Sequence, residues 1–587
     1  MTIDLGVHNL RAAYRARTLT CRAVIEDVLG RIAAAGNDKV WISRVPDAVL
    51  RQQADALQAR RDEIDSLPLY GIPFAVKDNI DVEGLATTAG CPGFAYKPAK
   101  SATVVRQLVE AGAIVVGKTN LDQFATGLVG VRSPYGVPRN PFDADYIPGG
   151  SSSGSAVAVS SGLVSFSLGT DTAGSGRVPA GFNNIVGWKP TPGLLSNEGT
   201  VPACASLDCV SVFALSCVDA DLVRRTLMPP FPLVAFDRDF RFGVPKPLEF
   251  FGDTAYAALY AQAIDKLKTM GGTAVELDYA SFAEAAQLLY AGPWVAERTA
   301  AVGAFIEKAD KKAGVWPTTR DIILGGRKYS AVDAFEGQYK LKKLLARAEM
   351  AMSEVNFLAL PTAGTIYTVA DLDREPVRFN SNLGHYTNFV NFFNLSALAL
   401  PFGFRPDGLP FGITLIGHAH HDQELLEFGA RWQRAVLLTL GKTASELPPP
   451  SADPKVVEDR TMIAVVGAHM SGLPLNCQLT ELGGRLESAN RTAPHYQLYA
   501  LQGGPPQRPG LVRVSDGGSA IELEVWSLPS GAFGHFVSKI SPPLGIGTVM
   551  LEDGSSVQGF ICETYATKGA HDITRFGGWR AYLKSLS

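Results

Sequence analysis

Along most of the chain the apolar positions follow two alternating rhythms. Val24, Val28 and Ile32, and later Val105, Leu108 and Val109, recur at the spacing that lines one face of a helix. Between such stretches lie short continuous apolar runs, "IPFAV", "AIVVG" and "LVSFSLG", of the kind that forms strands buried on both faces. The alternation predicts an α/β domain with a central, buried, mixed sheet flanked by helices. The rhythm changes at "ELPPPSADPKVVEDR" (Glu446 to Arg460), which is Pro-rich and charged. Beyond it "TMIAVVGAHMSG" opens a series of strand-like runs, "IELEVWSL", "GTVMLED" and "SVQGFICE", separated by Gly and Pro turns. The expected organisation is an α/β domain over residues 1–445, a linker over 446–460 and a small β-rich domain over 461–587.

One stretch fits neither rhythm. In "DYIPGGSSSGSAVAVSSG", from Asp145 to Gly162, glycines and serines run directly into Ala156, Val157, Ala158 and Val159. A flexible Gly/Ser linker leads into further polar sequence, whereas this one leads into a core, so a packed conformation with a chemical task is expected.

Composition narrows the function classes. A chain of 587 residues exceeds one ordinary hydrophobic core. Hydrophobic residues at 46%, charged residues at 19% and a net charge of -3 give no reason to expect nucleic acid or membrane as partner. "MTIDLGVHNLRAAYRARTLT" lacks the apolar centre of a signal peptide and no run is long enough to span a bilayer, so a cytoplasmic location is expected. The seven cysteines are scattered, without a C-x-x-C pair or a histidine at zinc-ligand spacing, and read as reduced and mostly buried.

Two short motif matches compete for attention. "GAIVVGKT", Gly112 to Thr119, fits the phosphate-loop pattern and would make Lys118 a nucleotide ligand. Its interior is apolar and β-branched and a helical pattern precedes it, which argues against a loop with free amides. Gly150 to Gly154 fits G-x-S-x-G with Ser152 at the centre, but "NPFDADYIPGG" ahead of it is made of turn formers where a nucleophile elbow needs a strand.

A third constellation absorbs the serine run. Lys77 closes the apolar run of "YGIPFAVKDNIDVEG", Ser151 follows Gly150, and Ser175 lies between glycines in "SLGTDTAGSGRVPA". With these three motifs in order, and with "VVGKTNLDQFATG" and "ASLDCVSVFA" between and after them, the chain from about residue 5 to 440 resembles the amidase signature family. The resemblance implies that family's fold and a Ser-cisSer-Lys triad of Ser175 as nucleophile, Ser151 as relay and Lys77 as base. Serine needs a partner that accepts its proton. At its ordinary pKa only about one lysine in a few thousand is neutral at pH 7, so burial by "IPFAV" must lower the value for Lys77. The Ser151 hydroxyl can both donate and accept, and the glycines beside it permit the cis turn that the family uses. Backbone N–H groups of Thr172, Ala173, Gly174 and Ser175 can form an oxyanion hole. Asp171 and Arg177 read as structural pairing within the turn, and Asp208 as a supporting hydrogen bond.

"LLYAGPWVAERTAAV" resembles the corresponding segment of the allophanate hydrolases, in which a tyrosine and an arginine hold the substrate carboxylate; here these are Tyr290 and Arg298. A separation of eight is close to two helical turns, which would set both side chains on similar faces of one helix. Gly127 is expected in the pocket wall, where a side chain would obstruct a small substrate. "IAVVGAHMSGLPLNCQLTELGG" resembles the extra domain of the same enzymes, similar in fold to γ-glutamyl cyclotransferases, with His469 in the loop after the first strand and no convincing catalytic glutamate further on. The resemblance thus implies hydrolysis of allophanate (urea-1-carboxylate) to ammonia and N-carboxycarbamate through an acyl-enzyme, with no metal or organic cofactor, in a homodimer. It leaves open whether a urea carboxylase or a cyanuric acid pathway supplies the substrate. A broad-specificity amidase and the glutaminase subunit of a tRNA-dependent amidotransferase are the alternatives, and a nucleotide-binding protein using Lys118 is the reading from another class.

Overall fold

The continuous apolar runs become strands buried from end to end. In the computed structural model the described residues are 3–228, 239–448 and 460–586, and the chain divides into two units, Met1–Pro450 and Ser451–Ser587. The strands of the first unit are β1 (Trp41–Arg44), β2 (Pro73–Lys77), β3 (Ile114–Thr119), β4 (Phe166–Asp171), β5 (Val186–Lys189), β6 (Cys209–Ala214), β7 (Phe240–Lys246), β8 (Gly272–Asp278), β9 (Phe357–Pro361), β10 (Ser396–Phe404) and β11 (Pro410–Gly417). They form one eleven-stranded sheet in the order β1-β3-β2-β4-β6-β5-β10-β11-β9-β7-β8. β2 is parallel to β3 and β4, and β7 to β8 and β9, while β10 runs antiparallel to β5 and β11. The sheet is mixed and helix-flanked, as the alternating rhythms predicted. The expected linker falls largely on residues 449–459, outside the described residues.

Helical spacing marks the helices that cover the sheet. The helix Cys21–Ala35 buries Val24, Ile25, Val28, Leu29 and Ile32, and Thr20 caps its start by accepting the N–H of Ala23. The helix Thr103–Glu110 buries Val104, Val105 and Leu108, whereas Val109 is 47% exposed. Its apolar face is therefore centred one residue earlier than the pattern suggested, and Val109 turns outward on the last turn.

The serine run forms a helix, Ser153–Ser160, buried on all sides over β2, β3, β4 and β6. Small side chains make this possible: a Cβ at Gly154 would lie 2.6 Å from the Val40 carbonyl oxygen. The serines are satisfied inside it, Ser155 Oγ donating to the Leu168 carbonyl at 2.9 Å and Ser160 Oγ to that of Asn183 at 2.7 Å. Ser152, centre of the G-x-S-x-G match, is buried and exchanges hydrogen bonds with the backbone of Thr170. None of the strands named above ends at it.

The phosphate-loop reading fails here. Residues 114–119 of the match are strand β3, paired with β1 and β2. The Lys118 ammonium lies 3.0 Å from Asp78 Oδ1 with both side chains wholly buried, and it donates to Thr87 Oγ1 at 3.0 Å. Its charge is consumed inside the protein.

The second unit contains β12 (Arg460–Val465), β13 (Arg485–Arg491), β14 (Tyr496–Ala500), β15 (Pro509–Arg513), β16 (Glu522–Pro529), β17 (Leu544–Met550), β18 (Ser556–Cys562) and β19 (His571–Asp572). They form a five-stranded sheet, β13-β16-β12-β18-β17, and a three-stranded one, β15-β14-β19. Alternation along β12 and β16 feeds two cores: Ala464, Leu523 and Val525 enter one, while Ile463, Val465, Trp526 and Leu528 enter the other. All seven cysteines are unpaired and, of these, Cys477 alone is exposed. Among the described residues no helix is long and apolar enough to cross a membrane.

Removing one partner of a buried ion pair strands the other charge. Lys118→Met should lower stability by about 3–5 kcal/mol, seen as a lower urea midpoint of the first unit, and ATP should protect neither protein against urea.

Candidate active site

Three chain segments converge at the C-terminal end of β4. Lys77 ends β2, wholly buried, with Nζ donating to Ser151 Oγ at 2.8 Å and to Thr170 Oγ1 at 2.7 Å. Ser151 Oγ in turn donates to Ser175 Oγ at 2.9 Å. The peptide between Gly150 and Ser151 is cis. Lys77, Ser151 and Ser175, far apart in sequence, thus form one chain of hydrogen bonds. No carboxylate among the described residues pairs with the Lys77 ammonium. Burial pushes its pKa down to about 7; Asp122, Asp171 and Asp208 pull the value up, and the Arg298 charge lowers it.

Each of those carboxylates is held by other donors. Asp122 accepts the N–H groups of Val129, Gly130 and Arg132 at 2.9–3.0 Å, and its own N–H donates to the Ser151 carbonyl. Asp171 meets Arg177 through two 2.9 Å hydrogen bonds and accepts the Gly176 N–H at 3.0 Å. Burial alone would raise the Asp171 pKa, but Arg177 brings it below the ordinary range. Asp208 accepts the Thr172 hydroxyl at 2.5 Å and the N–H groups of Ala203 and Cys204. These contacts fix the turn from Thr172 to Arg177. Within it the backbone N–H groups of Thr172, Ala173, Gly174 and Ser175 have no hydrogen-bond acceptor among the described residues, although their residues are buried. Four consecutive donors without acceptors among the described residues can receive an oxyanion. Gly174 is required there: φ is +140° and a Cβ would lie 2.4 Å from Thr387 Oγ1.

Tyr290 and Arg298 come together by a route other than the single helix expected. Tyr290 ends the helix Ala280–Ala291, Arg298 lies in the first turns of the helix Val295–Lys308, and Gly292-Pro293-Trp294 turns the chain between them. Pro293 has no N–H to continue the first helix, which is why the pattern breaks. Arg298 is 1% exposed; its guanidinium donates to Tyr290 Oη at 3.2 Å, Thr126 Oγ1 at 3.0 Å and the Ala125 carbonyl at 3.3 Å, and lies over the Tyr290 ring. Its Nε has no partner, and no carboxylate among the described residues pairs with it. The helix rests on a small separate core of Ala89, Phe124, Val201, Val302, Ile306 and Ile323. At Gly127 the constraint seen is Asp122, whose Oδ2 would lie 2.6 Å from a Cβ.

In the second unit His469 follows β12 and lines a cavity with Gly467, Ala468, Arg508 and Phe560. Its Nε2 pairs with Gln478 Oε1 at 3.0 Å and its ring stacks on Phe560; burial lowers its pKa. A buried glutamate does stand on β16: Glu524 accepts Ser471 N–H at 2.7 Å and Trp526 Nε1–H at 2.9 Å, and pairs with Arg580 at 2.7 Å. Those contacts tie down the loop that carries His469.

Sequence reasoning passed over Thr170, Thr126 and the part played by Asp122. Asp122 and Thr126 lie in "TNLDQFATG", already notable as a motif, but their partners are backbone groups and residues distant in sequence.

Comparison with known proteins fits this geometry. The amidase family model matches residues 23–426, the segment that holds Lys77, Ser151, Ser175, Tyr290 and Arg298. The chain belongs to the amidase family. Behind the amidase segment, residues 461–584 match the family described as allophanate hydrolase C-terminal domain. Urea amidolyase of Saccharomyces cerevisiae is 45% identical over 589 residues, covering 96% of this chain and 32% of the relative. The chain thus spans about a third of the length of the urea amidolyases that it matches. A solved structure of Kluyveromyces lactis allophanate hydrolase is 41% identical with a TM-score of 0.76, covering all of both chains. A glutamyl-tRNA(Gln) amidotransferase subunit of Moorella thermoacetica, 32% identical, covers 72% of this chain and 95% of its own length.

Proposed function

We propose that this chain is an amidohydrolase that cleaves allophanate to ammonia and N-carboxycarbamate. The observation that carries the reading is Arg298: a buried guanidinium without a carboxylate partner among the described residues, close enough to Lys77 to lower its pKa. A buried charge left unpaired costs several kcal/mol, so such a site is made to receive an anion. A substrate that is an amide and a carboxylate at once satisfies both halves. The likeness to K. lactis allophanate hydrolase over the whole of both chains supports the same choice. The amidotransferase subunit aligns with 72% of the chain at lower identity, so the glutaminase alternative has less support.

The chemistry follows from the hydrogen-bond chain. With Lys77 neutral, Nζ accepts the Ser151 proton, Ser151 accepts that of Ser175, and Ser175 Oγ attacks the carboxamide carbon. The oxygen that becomes negative meets the N–H groups of residues 172–175. The proton returns from Lys77 through Ser151 to the departing nitrogen, which leaves as ammonia. Water, activated by the same relay, then cleaves the acyl-enzyme. Tyr290 and Arg298 hold the substrate carboxylate, and Gly127 belongs to the same wall. N-carboxycarbamate afterwards loses carbon dioxide and a second ammonia, and the second unit assists, with His469 as its acting group. A urea-carboxylating activity is the proposed source of substrate, and a cytoplasmic homodimer the proposed form, to be checked by sedimentation.

The direct test is ammonia release from allophanate, biuret, glutamine and simple amides side by side, with allophanate expected far ahead; parity would refute the reading. Arg298→Lys keeps the charge but loses the planar fork, so kcat/KM should fall about 100-fold on allophanate and far less on a small neutral amide. Equal losses on both would make the arginine structural. Because the neutral lysine is the base, kcat/KM should rise with pH through about 7. Arg298→Gln removes a charge that lowers the Lys77 pKa, so that rise should move to higher pH; a rise that stays in place would remove Lys77 as its origin. Finally, His469→Ala should release the first ammonia at the normal rate while N-carboxycarbamate accumulates, visible by carbon-13 NMR on labelled substrate. Unchanged carbon dioxide release would exclude His469.

A further inference from the structure

A solvent-open cavity of about 210 Å³ lies against the Arg298 site, lined by Arg132, Tyr290, Asp321, Lys328, Asn380 and Ser381. Arg132 is 2% exposed, and its guanidinium donates to the Thr126 carbonyl at 2.9 Å and the Pro376 carbonyl at 2.6 Å. No carboxylate among the described residues pairs with it. Lys328 is exposed, its ammonium lies over the Tyr329 ring, and it too makes no ion pair among the described residues. Asp321 lines the same cavity, likewise without an ion pair there.

The cavity shares its wall with the inner site. Thr126 gives its carbonyl to Arg132 and its hydroxyl to Arg298. Tyr290 lines the cavity and accepts a hydrogen bond from Arg298. Arg132 is also joined to the catalytic turn, since its N–H donates to Asp122, whose own N–H donates to the Ser151 carbonyl. Two cations, buried Arg132 and exposed Lys328, thus line the cavity with Asp321, and a third, Arg298, lies behind its Tyr290 wall; Asp122 faces Arg132 from inside while holding three backbone N–H groups.

The geometry points to an outer subsite in this cavity that captures the anionic substrate before it reaches Arg298. The ligand class is a small carboxylated amide or urea: its carboxylate faces Arg132 and Lys328, and its N–H groups face Asp321. This rests on the reading that the substrate is an anion. Clefts lined by one sign of charge raise the local concentration of the opposite ion and speed association, and salt screens the effect. The subsite acts on capture and leaves the chemical step alone.

Lys328→Glu tests this on the full chain, because the residue is exposed and its ammonium lies over the Tyr329 ring rather than in an ion pair among the described residues. At about 20 mM ionic strength kcat/KM for allophanate should fall about fivefold, with kcat unchanged and no effect on a neutral amide, and near 0.5 M salt the variant and wild type should converge. Unchanged kcat/KM at low salt, or equal losses on the neutral amide, would overturn the subsite. Wild type is first compared on allophanate and the neutral amide. Absence of that preference sinks the functional reading itself, whereas its presence with an unaffected Lys328→Glu sinks the outer subsite alone.

Discussion

An ammonium group enclosed among hydroxyls, with no carboxylate to pair with, is the constraint on which the site depends. Lys77 meets Ser151 and Thr170, both neutral. Hydroxyls solvate a cation less well than water does, and the unrecovered cost appears as a pKa near neutrality. The arrangement needs the three nearby acids to be occupied elsewhere. Asp122 takes three backbone N–H groups, Asp171 takes Arg177, and Asp208 takes Thr172 and two further N–H groups. Were any of them free to reach Nζ, the lysine would stay charged and could not take the part of base proposed for it. The fold serves the same end: β2 lies between β3 and β4 in the sheet, and the buried helix of the serine run covers it.

What could be read from the sequence follows the range of the interactions involved. The α/β organisation was legible because periodicity is local, and the three motifs that carry Lys77, Ser151 and Ser175 are short. The serine run announced burial through the apolar residues behind it. Lys118 shows the opposite case. A lysine in a glycine-flanked pattern looks the same whether it meets phosphate or Asp78, and Asp78 lies 40 residues earlier. Asp122 was silent because a carboxylate that acts through backbone N–H groups has no partner whose identity the sequence displays. Tyr290 and Arg298 were legible as a pair, but their meeting depends on the turn at Gly292-Pro293-Trp294 and on Thr126 from another segment. Val109 shows the limit of periodicity itself, which locates a face to within a residue.

The second unit makes the same point in strand form. Its alternating strands feed a core on each face of one sheet, while the short strand-like runs between Gly and Pro turns identified the unit's class from sequence. Glu524 could not be recognised that way, because its partners Ser471 and Arg580 stand far from it along the chain.

The proposed nucleophile and its relay stand on or beside the sheet, and the helix that carries Tyr290 packs into the same main core, whereas the helix that carries Arg298 rests on a small core of its own. On the proposed roles, the arginine that selects the substrate is thus stabilised apart from the serines and lysine that react with it. Divergence can remodel the Arg298 helix without altering Lys77's burial by the sheet, so a lineage with the proposed chemistry can keep its reaction while changing what it feeds on. For the same reason a graft of the helical segment, together with the Thr126 loop it grips, is the natural unit of exchange between relatives, and a graft of the helices without that loop would arrive with its arginine unmoored.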